Sequence, residues 1–435
     1  MMMRKKLVVI SIDALGTENI EKNLDLMPTI AELIKTGTWV KEIEEIYPSL
    51  TYPSHTSIIT GVYPNKHGIV NNTKIQPKRL SPDWFWYKRD VKAPSVIDLA
   101  HQNNYKTAAF LWPVTAKSGI DYNIAEIFPN RIWTNQVLIS LQASSPLFLM
   151  QMNHKYGHLR KGIKQPYLDD FITACAVDTI KSKEPDLTLI HLVDLDSMFH
   201  HYGVYSKEAK AALKRQDDRV KQIISAIEQT SSPDNTSLII LGDHYQLDVT
   251  HLIRLNARFK KLNWCSLDTQ KMIDDNWKVY AKSCDGSCYI YSRETNPDFL
   301  KKIKDVCEAI EGIETIYSQS ELKNQGADDQ AVFMLEAKRG YYFVDEHAGS
   351  VVEKNPTHEI GQPERYHAVH GYHPSKKNYA TTFIVNGPQV KINHQISKAR
   401  LIDEAPTILK LLDLPNFDHE IDGKLIDDLF IDEEK

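Results

Sequence analysis

Asp186-Leu-Thr-Leu-Ile-His-Leu-Val193 is a near-continuous apolar run that leads straight into Asp194, Asp196, His200 and His201. Runs of this kind are buried on both faces and mark the central strands of a parallel sheet. Two further stretches repeat the pattern: Leu7 to Ile12 stops at Asp13, and Ser237 to Leu241 stops at Gly242, Asp243 and His244. Ligand sites in open α/β sheets lie beyond the carboxyl ends of the strands, so three apolar strands ending in acids or histidines predict one shared site.

Outward from these strands the chain alternates. Met27 to Lys35 has helical spacing, with a proline near its start and Gly37 just after it, and Trp39 to Ile46 reads as a strand. Ser95 to Asn103 followed by Thr107 to Leu111 reads as helix then strand, and Asp169 to Lys181 and Lys207 to Gln229 read as helices. The alternation predicts an α/β sheet covered on both faces. From Tyr245 to about Gly361 the composition is mixed, with hairpin-like pieces at Ser287 to Tyr291, Ala331 to Leu335 and Gly340 to Val344 around a helix near Pro297 to Ile310. This predicts an inserted α+β cap. The sheet pattern resumes at Thr381 to Val385, and Ile402 to Leu412 is expected to close the chain as a helix. The expected organisation is a catalytic core of residues 1–244 and 362–435 with residues 245–361 as the cap.

The 435 residues carry a formal net charge of −5, with a quarter of them charged, so no general attraction to nucleic acid or to an anionic membrane is expected. Basic residues precede the first apolar run, but that run stops at Asp13, too soon for the core of a signal peptide; it is expected to be a buried strand, in a cytoplasmic protein. No later stretch approaches the roughly 18 apolar residues of a membrane span. Five cysteines without paired C-x-x-C spacing predict free thiols rather than a zinc ribbon.

Chemistry concentrates in Tyr47 to Asn72, Y-P-S-L-T-Y-P-S-H-T-S-I-I-T-G-V-Y-P-N-K-H-G-I-V-N-N. Pro48 and Pro53 restrict the backbone around Thr51, and a helix expected over Ser54 to Thr60 would aim free N–H groups at whatever Thr51 attacks. Phosphate or sulfate suits such a place; a plain capping role for Thr51 is the alternative. Asp196 and His200 are four apart, so a helical turn puts both on one face. Asp13, Asp243 and His244 supply a second set of hard donors, and His370 follows in H-A-V-H-G-Y-H-P. Carboxylate with imidazole suits zinc first, with manganese or iron as alternatives. Spacing alone leaves His154, His158, His251, His347, His367 and His373 open as further ligands.

A set of motifs narrows this. They are I-D-A-L-G at Ile12 to Gly16, T-Y-P-S-H at Thr51 to His55, T-G-V-Y-P-N-K-H-G-I-V-N-N at Thr60 to Asn72, F-L-W-P at Phe110 to Pro113, D-S-M-F-H-H-Y-G at Asp196 to Gly203, G-D-H at Gly242 to His244, H-G-Y at His370 to Tyr372 and D-E-A-P-T-I-L at Asp403 to Leu409. In this order, over nearly the full length, the chain resembles the nucleotide pyrophosphatase/phosphodiesterase family of the alkaline phosphatase superfamily. The resemblance implies a three-layer α/β/α sandwich with a mixed, mostly parallel sheet. It implies one divalent ion held by Asp13, Thr51, Asp243 and His244 and a second by Asp196, His200 and His370, with Thr51 as nucleophile and Asn72 as donor to a phosphate oxygen. Tyr52 matches the position on which the family stacks a base, with Trp112 or Trp84 adding an apolar wall; packing in the core is the competing role for both tryptophans. Two departures are Ser54, where the family has Asn, and Phe199, where it has Gly.

The expected reaction is hydrolysis of small phosphodiesters or nucleotides through a phosphothreonine intermediate, without a nucleic acid polymer as partner. The matched motifs hold no Arg to balance the extra charge of a monoester, which favours diesters. A phosphomonoesterase or phosphonate hydrolase on the same site is the enzymatic alternative, and a non-catalytic, metal-stabilised binding protein is the alternative of another class. Sulfatases need Cys or Ser in C/S-x-P-x-R, where this chain has Thr51, Pro53 and His55.

Overall fold

A computed structural model describes residues 4–131 and 133–432. The first three and last three residues of the expected core span lie outside them. Six strands come first along the chain: β1 (Lys6–Ile12), β2 (Thr38–Glu44), β3 (Thr107–Phe110), β4 (Tyr122–Ile124), β5 (Leu187–Leu192) and β6 (Thr236–Leu241). With the strands Thr381–Asn386 and His394–Arg400 they form one eight-stranded sheet. From one edge the order is His394–Arg400, β2, Thr381–Asn386, β6, β1, β5, β3, β4. Thr381–Asn386 runs antiparallel to both its neighbours and every other pairing is parallel, so the sheet is mixed and mostly parallel.

The alternation of side chains along β1 shows both faces covered. Val8, Ile10 and Ile12 enter the core shared with the helices Tyr167–Lys183 and Lys207–Ile227, while Leu7 and Val9 enter the core shared with Val96, Ile97, Ile58 and the closing helix Glu404–Leu411. This is a three-layer α/β/α arrangement. Register sets the site. Ile12 lies opposite Leu192 of β5 and Ser11 opposite Leu241 of β6, so the three apolar strands end at one level and deliver Asp13, Asp194 with Asp196, and Asp243 with His244 to the same edge.

Residues 245–361 hold two smaller sheets, one of four strands between Val279 and Ala337 and one of three strands, His251–Ile253, Tyr341–Phe343 and Val352–Lys354. Their side chains, among them Tyr280, Tyr289 and Met334, belong to the same continuous core as Ile10 and Leu192. The two-stranded ladder of Leu247–Asp248 with Ala368–Val369 also ties this segment to the chain near His370.

Four elements differ from expectation. The helix at the candidate nucleophile is Thr51–Thr60, beginning at Thr51 itself. Pro53 falls within its first turn, where the missing N–H would have had no intrahelical acceptor, so it does not delay the helix. The strand His394–Arg400 was hidden because its exposure alternates only weakly and it carries Lys398 and Arg400 on an edge. The helices Gln136–Ala143 and Pro146–Tyr156 were not expected at all, because much of their apolar surface faces solvent and blurs the helical stripe.

Candidate active site

Thr51, the first residue of its helix, points its Oγ1 at His244 Nε2, 3.0 Å away. The same Nε2 lies 3.2 Å from Asp13 Oδ1 and 3.4 Å from Asp243 Oδ2, so one hydroxyl, one imidazole and two carboxylates converge on one point. All four side chains are buried. Next to them, Asp196 Oδ1 is 3.3 Å from His200 Nε2, and the donor atoms of Asp196, His200 and His370 lie within 4.8 Å of one another. Asp13, Asp196 and His244 form a further such group, so the two sets adjoin.

Asp194 and Asp196 both follow β5, and the structure separates them by partner. Asp194 accepts 2.7 and 2.9 Å bonds from Arg215 and a 3.0 Å bond from Arg219, and is spent in that buried network. Asp196 instead faces the histidines, with Gln246 Nε2 donating to its Oδ1 at 2.5 Å. Both sit on the helix Asp194–Tyr202, which runs unbroken through Phe199. Phe199 is fully buried, edge-on to Tyr245, so the departure from glycine is absorbed by packing.

Backbone and outer side chains fix these groups. His200 Nδ1–H donates to Ala368 O at 2.8 Å, which leaves Nε2 turned to the site. His370 is carried by a loop in which Gly371 N–H donates to Ser49 O and Gly286 N–H donates to His370 O, at 3.0 and 2.8 Å. Gly371 has φ +82°, and a Cβ there would lie 1.7 Å from Cys284 O, so no other residue passes this close to the neighbouring hairpin. Asn72 accepts a 2.9 Å bond on Oδ1 from Tyr52 N–H, which turns its Nδ2 into a free donor. Of the first-turn amides at Thr51, Tyr52 N–H is taken by Asn72 and Ser54 N–H by Leu50 O, and Pro53 has none; Thr51 N–H remains.

The electrostatics of this set bear on what it can hold. Burial, then the neighbouring Asp196, holds the Asp13 carboxyl well above the usual carboxylate range, and burial with Asp13 beside it does the same to Asp243. For Asp196 burial acts in the same direction but is outweighed by His200, His370 and His244, which hold it below that range. Burial and the crowding of imidazoles press His244 well below its ordinary value and His370 down to about 3. Asp13 Oδ1, Asp243 Oδ2 and the Nδ1 atoms of His244 and His370 are buried without a hydrogen-bond partner. Asp13 and Asp243, which resist ionising, and His244 and His370, which resist protonation, packed together with unpaired atoms, fit divalent cations.

Two residues expected to contact substrate sit among apolar neighbours instead. Trp112 is fully buried, edge-on to His55 at 4.8 Å, inside the core formed by Leu7, Val9 and Ile58; it offers no wall to a substrate. Tyr52 is fully buried as well, with the half-buried Trp84 edge-on at 5.2 Å, in a cluster with Ile69, Trp86 and Ile127. Each ring is held by apolar neighbours that the sequence separates by tens of residues.

Three side chains that sequence reasoning passed over also line the site. His191, on β5, lies 3.1 Å from Asp13 Oδ2, and His55 bridges Thr51 O at 2.8 Å and Ser11 Oγ at 3.0 Å. Their signal was register: Ser11 and His191 are paired polar residues on one face of two apolar strands. Glu126 has a buried, unpaired Oε2 4.0 Å from His191 Nδ1, and burial raises its carboxyl to about 7.

Comparison with known proteins places this geometry. The family model for type I phosphodiesterase / nucleotide pyrophosphatase matches residues 7–373. The chain belongs to this family. Human ectonucleotide pyrophosphatase/phosphodiesterase family member 1 is 26% identical over 250 residues, covering 54% of this chain and 23% of that protein. Bis(5'-adenosyl)-triphosphatase enpp4 of Xenopus laevis is 24% identical over 309 residues, 67% of this chain and 60% of that protein. The chain thus spans under two thirds of the length of these curated relatives. Among solved structures, an inactive variant of murine ectonucleotide pyrophosphatase / phosphodiesterase 5 in complex with AMP superposes with a TM-score of 0.69 at 17% identity, over 98% of this chain and 100% of that one. That likeness shows the fold, the alkaline-phosphatase-like one of the family.

Proposed function

We propose that this protein is a metal-dependent phosphodiesterase of the nucleotide pyrophosphatase type, with Thr51 as its nucleophile. The observation that carries the reading is the convergence of Thr51 Oγ1, Asp13, Asp243 and His244 around one point, 3.0 to 3.4 Å from His244 Nε2. Asp13, Thr51, Asp243 and His244 would hold one divalent ion and Asp196, His200 and His370 a second, zinc before manganese or iron by donor type. Such ions supply Lewis acidity and lower the pKa of a bound hydroxyl.

The chain's own groups account for the remainder. Thr51 Oγ1, having lost its proton to solvent, forms the new bond to phosphorus while the bond to the leaving oxygen breaks, and water then cleaves the phosphothreonine ester. Asn72 Nδ2 and Thr51 N–H donate to a non-bridging oxygen; both are held in place before substrate arrives, so little reorganisation is needed. His55 steadies the first turn through the Thr51 carbonyl.

Diesters are favoured over monoesters on a specific observation. Among the described residues no Arg or Lys side chain is bonded to Asp13, Thr51, Asn72, Asp196 or Asp243, and the groups beside the ligand set include two carboxyls, Asp285 at 3.7 Å from His370 Nδ1 and Glu126 at 4.0 Å from His191 Nδ1. A second negative charge on the phosphoryl group meets repulsion there rather than a cation. The nucleotide part of the reading rests on the relatives, since Tyr52 is covered by Trp84.

Metal-loaded protein compared on bis-p-nitrophenyl phosphate, p-nitrophenyl phosphate and a p-nitrophenyl nucleotide ester tests this. Faster turnover of the two diesters, lost with EDTA, is expected; a clear preference for the monoester would overturn the diester assignment, and EDTA-insensitive turnover the metal dependence.

A further inference from the structure

Half of the large apolar side chains exposed among the described residues lie in one short segment: Trp133 at 77%, Val137 at 59%, Leu138 at 61%, Leu147 at 82%, Met150 at 58% and Ile163 at 66%. The segment is the pair of helices Gln136–Ala143 and Pro146–Tyr156 with its flanks. Each helix also has a well-packed side. Ala143 and Ile139 join the cluster around Tyr52, and Phe148 and Met152 enter the main core. The two helices pack against each other and leave these apolar side chains exposed on elements whose folding is already satisfied, a concentration that marks an interaction site.

Charge says what covers it. From Ile127 to Leu168 the sequence has five basic residues, Arg131, Lys155, Arg160, Lys161 and Lys164, and no acidic one, within a chain of net charge −5. Arg131 is neutralised by Asp83 and Lys155 by Asp178. Arg160 donates to Asn153 and lies over the Phe171 ring, and Lys161 lies over the Tyr167 ring. Arg160, Lys161 and Lys164 have no carboxylate partner among the described residues, while the nearby Asp170 is held by Arg219. Ile163 is exposed between Lys161 and Lys164. Exposed apolar and indole side chains beside unneutralised cations match an anionic lipid surface, whereas a second copy of the same face would set like charges against each other.

We infer that residues 133–164 dock the protein on an anionic bilayer, with Trp133, Leu147 and Met150 entering the interface and Arg160, Lys161 and Lys164 against lipid phosphates. Through Ile139 and Ala143 the surface backs onto the cluster that holds Tyr52, one residue from Thr51, so docking brings the candidate site close to the headgroup layer. The inference stands independently of the reaction assigned to Thr51.

Co-sedimentation with phosphatidylcholine vesicles, with and without phosphatidylglycerol, tests it. The full chain is expected to bind the vesicles containing phosphatidylglycerol, less so at high salt. Lys161→Glu with Lys164→Glu, and separately Leu147→Ser with Met150→Ser, are each expected to lower the partition coefficient by about tenfold or more, while turnover of a soluble diester stays unchanged. Binding to neither vesicle, or binding unaffected by both double variants, would overturn the inference. So would a solution dimer, seen by ultracentrifugation, that the Leu147→Ser/Met150→Ser variant dissolves.

Discussion

Thr51 is one of three threonines on its helix, and its surroundings set it apart. Thr56 and Thr60 spend their hydroxyls on the carbonyls four residues back, at 2.8 and 2.7 Å, whereas Thr51 has no such carbonyl and turns to His244. Thr51→Ala is accordingly expected to lower kcat by about 10³-fold or more in a folded protein, and Thr51→Ser to keep measurable turnover; near-normal rates in the alanine variant would remove Thr51 from the chemistry. The two aspartates on the next helix give a second contrast. Asp194→Asn breaks a buried pair with Arg215 and Arg219 and is expected to cost about 3–5 kcal/mol in urea unfolding, while Asp196→Asn is expected to spare the fold and lower bound metal from about two ions per chain toward one. Equal loss of metal in both variants would contradict the separation. At this scale much was legible: Asp196 with His200 follows from a four-residue spacing, and the strand-end acids from where apolar runs stop. Tyr52 and Trp112 were not, because whether a ring faces substrate or core depends on neighbours such as Trp84 and Ile58 that sequence does not place beside it.

Elements carry consequences of their own. The closing helix Glu404–Leu411 begins at a glutamate that is fully buried with neither carboxylate oxygen hydrogen-bonded. Burial, then Asp403 and Asp243, raises its pKa well above the ordinary value. In the unfolded chain this carboxyl ionises near pH 4.3, while the folded one keeps its proton to higher pH, so it removes stability as pH rises from there toward the folded pKa. Glu404→Gln eliminates that loss. The variant's Tm relative to wild type is expected to rise progressively from pH 4.5 to pH 8, by calorimetry on metal-loaded protein; a difference that does not change with pH would contradict it. Element boundaries show where local sequence falls short. The Thr51–Thr60 helix starts three residues before the expected Ser54 because a proline inside the first turn is tolerated, and the helices of residues 136–156 escaped notice because their apolar residues serve two surfaces at once.

For the whole molecule, sheet register is the organising fact. The alignment of β1 with β5 and β6 brings together residues more than two hundred positions apart, and the loop at His370 reaches them because Gly371 lets it pass against the hairpin at Cys284. Strand ends were readable as a set, since each announces itself by a break in an apolar run. The polar seam of Ser11, His55 and His191 was not, since it exists only once two strands are in register and a helix lies across them. Net charge is a sum in a comparable way: −5 over the chain, it does not display the acid-free stretch from Ile127 to Leu168. The central claim, that Thr51 and not water attacks the phosphodiester, is tested most directly by stereochemistry at phosphorus. With a chiral phosphorothioate diester, two successive in-line displacements are predicted to give overall retention of configuration; inversion would show direct attack by water and contradict it.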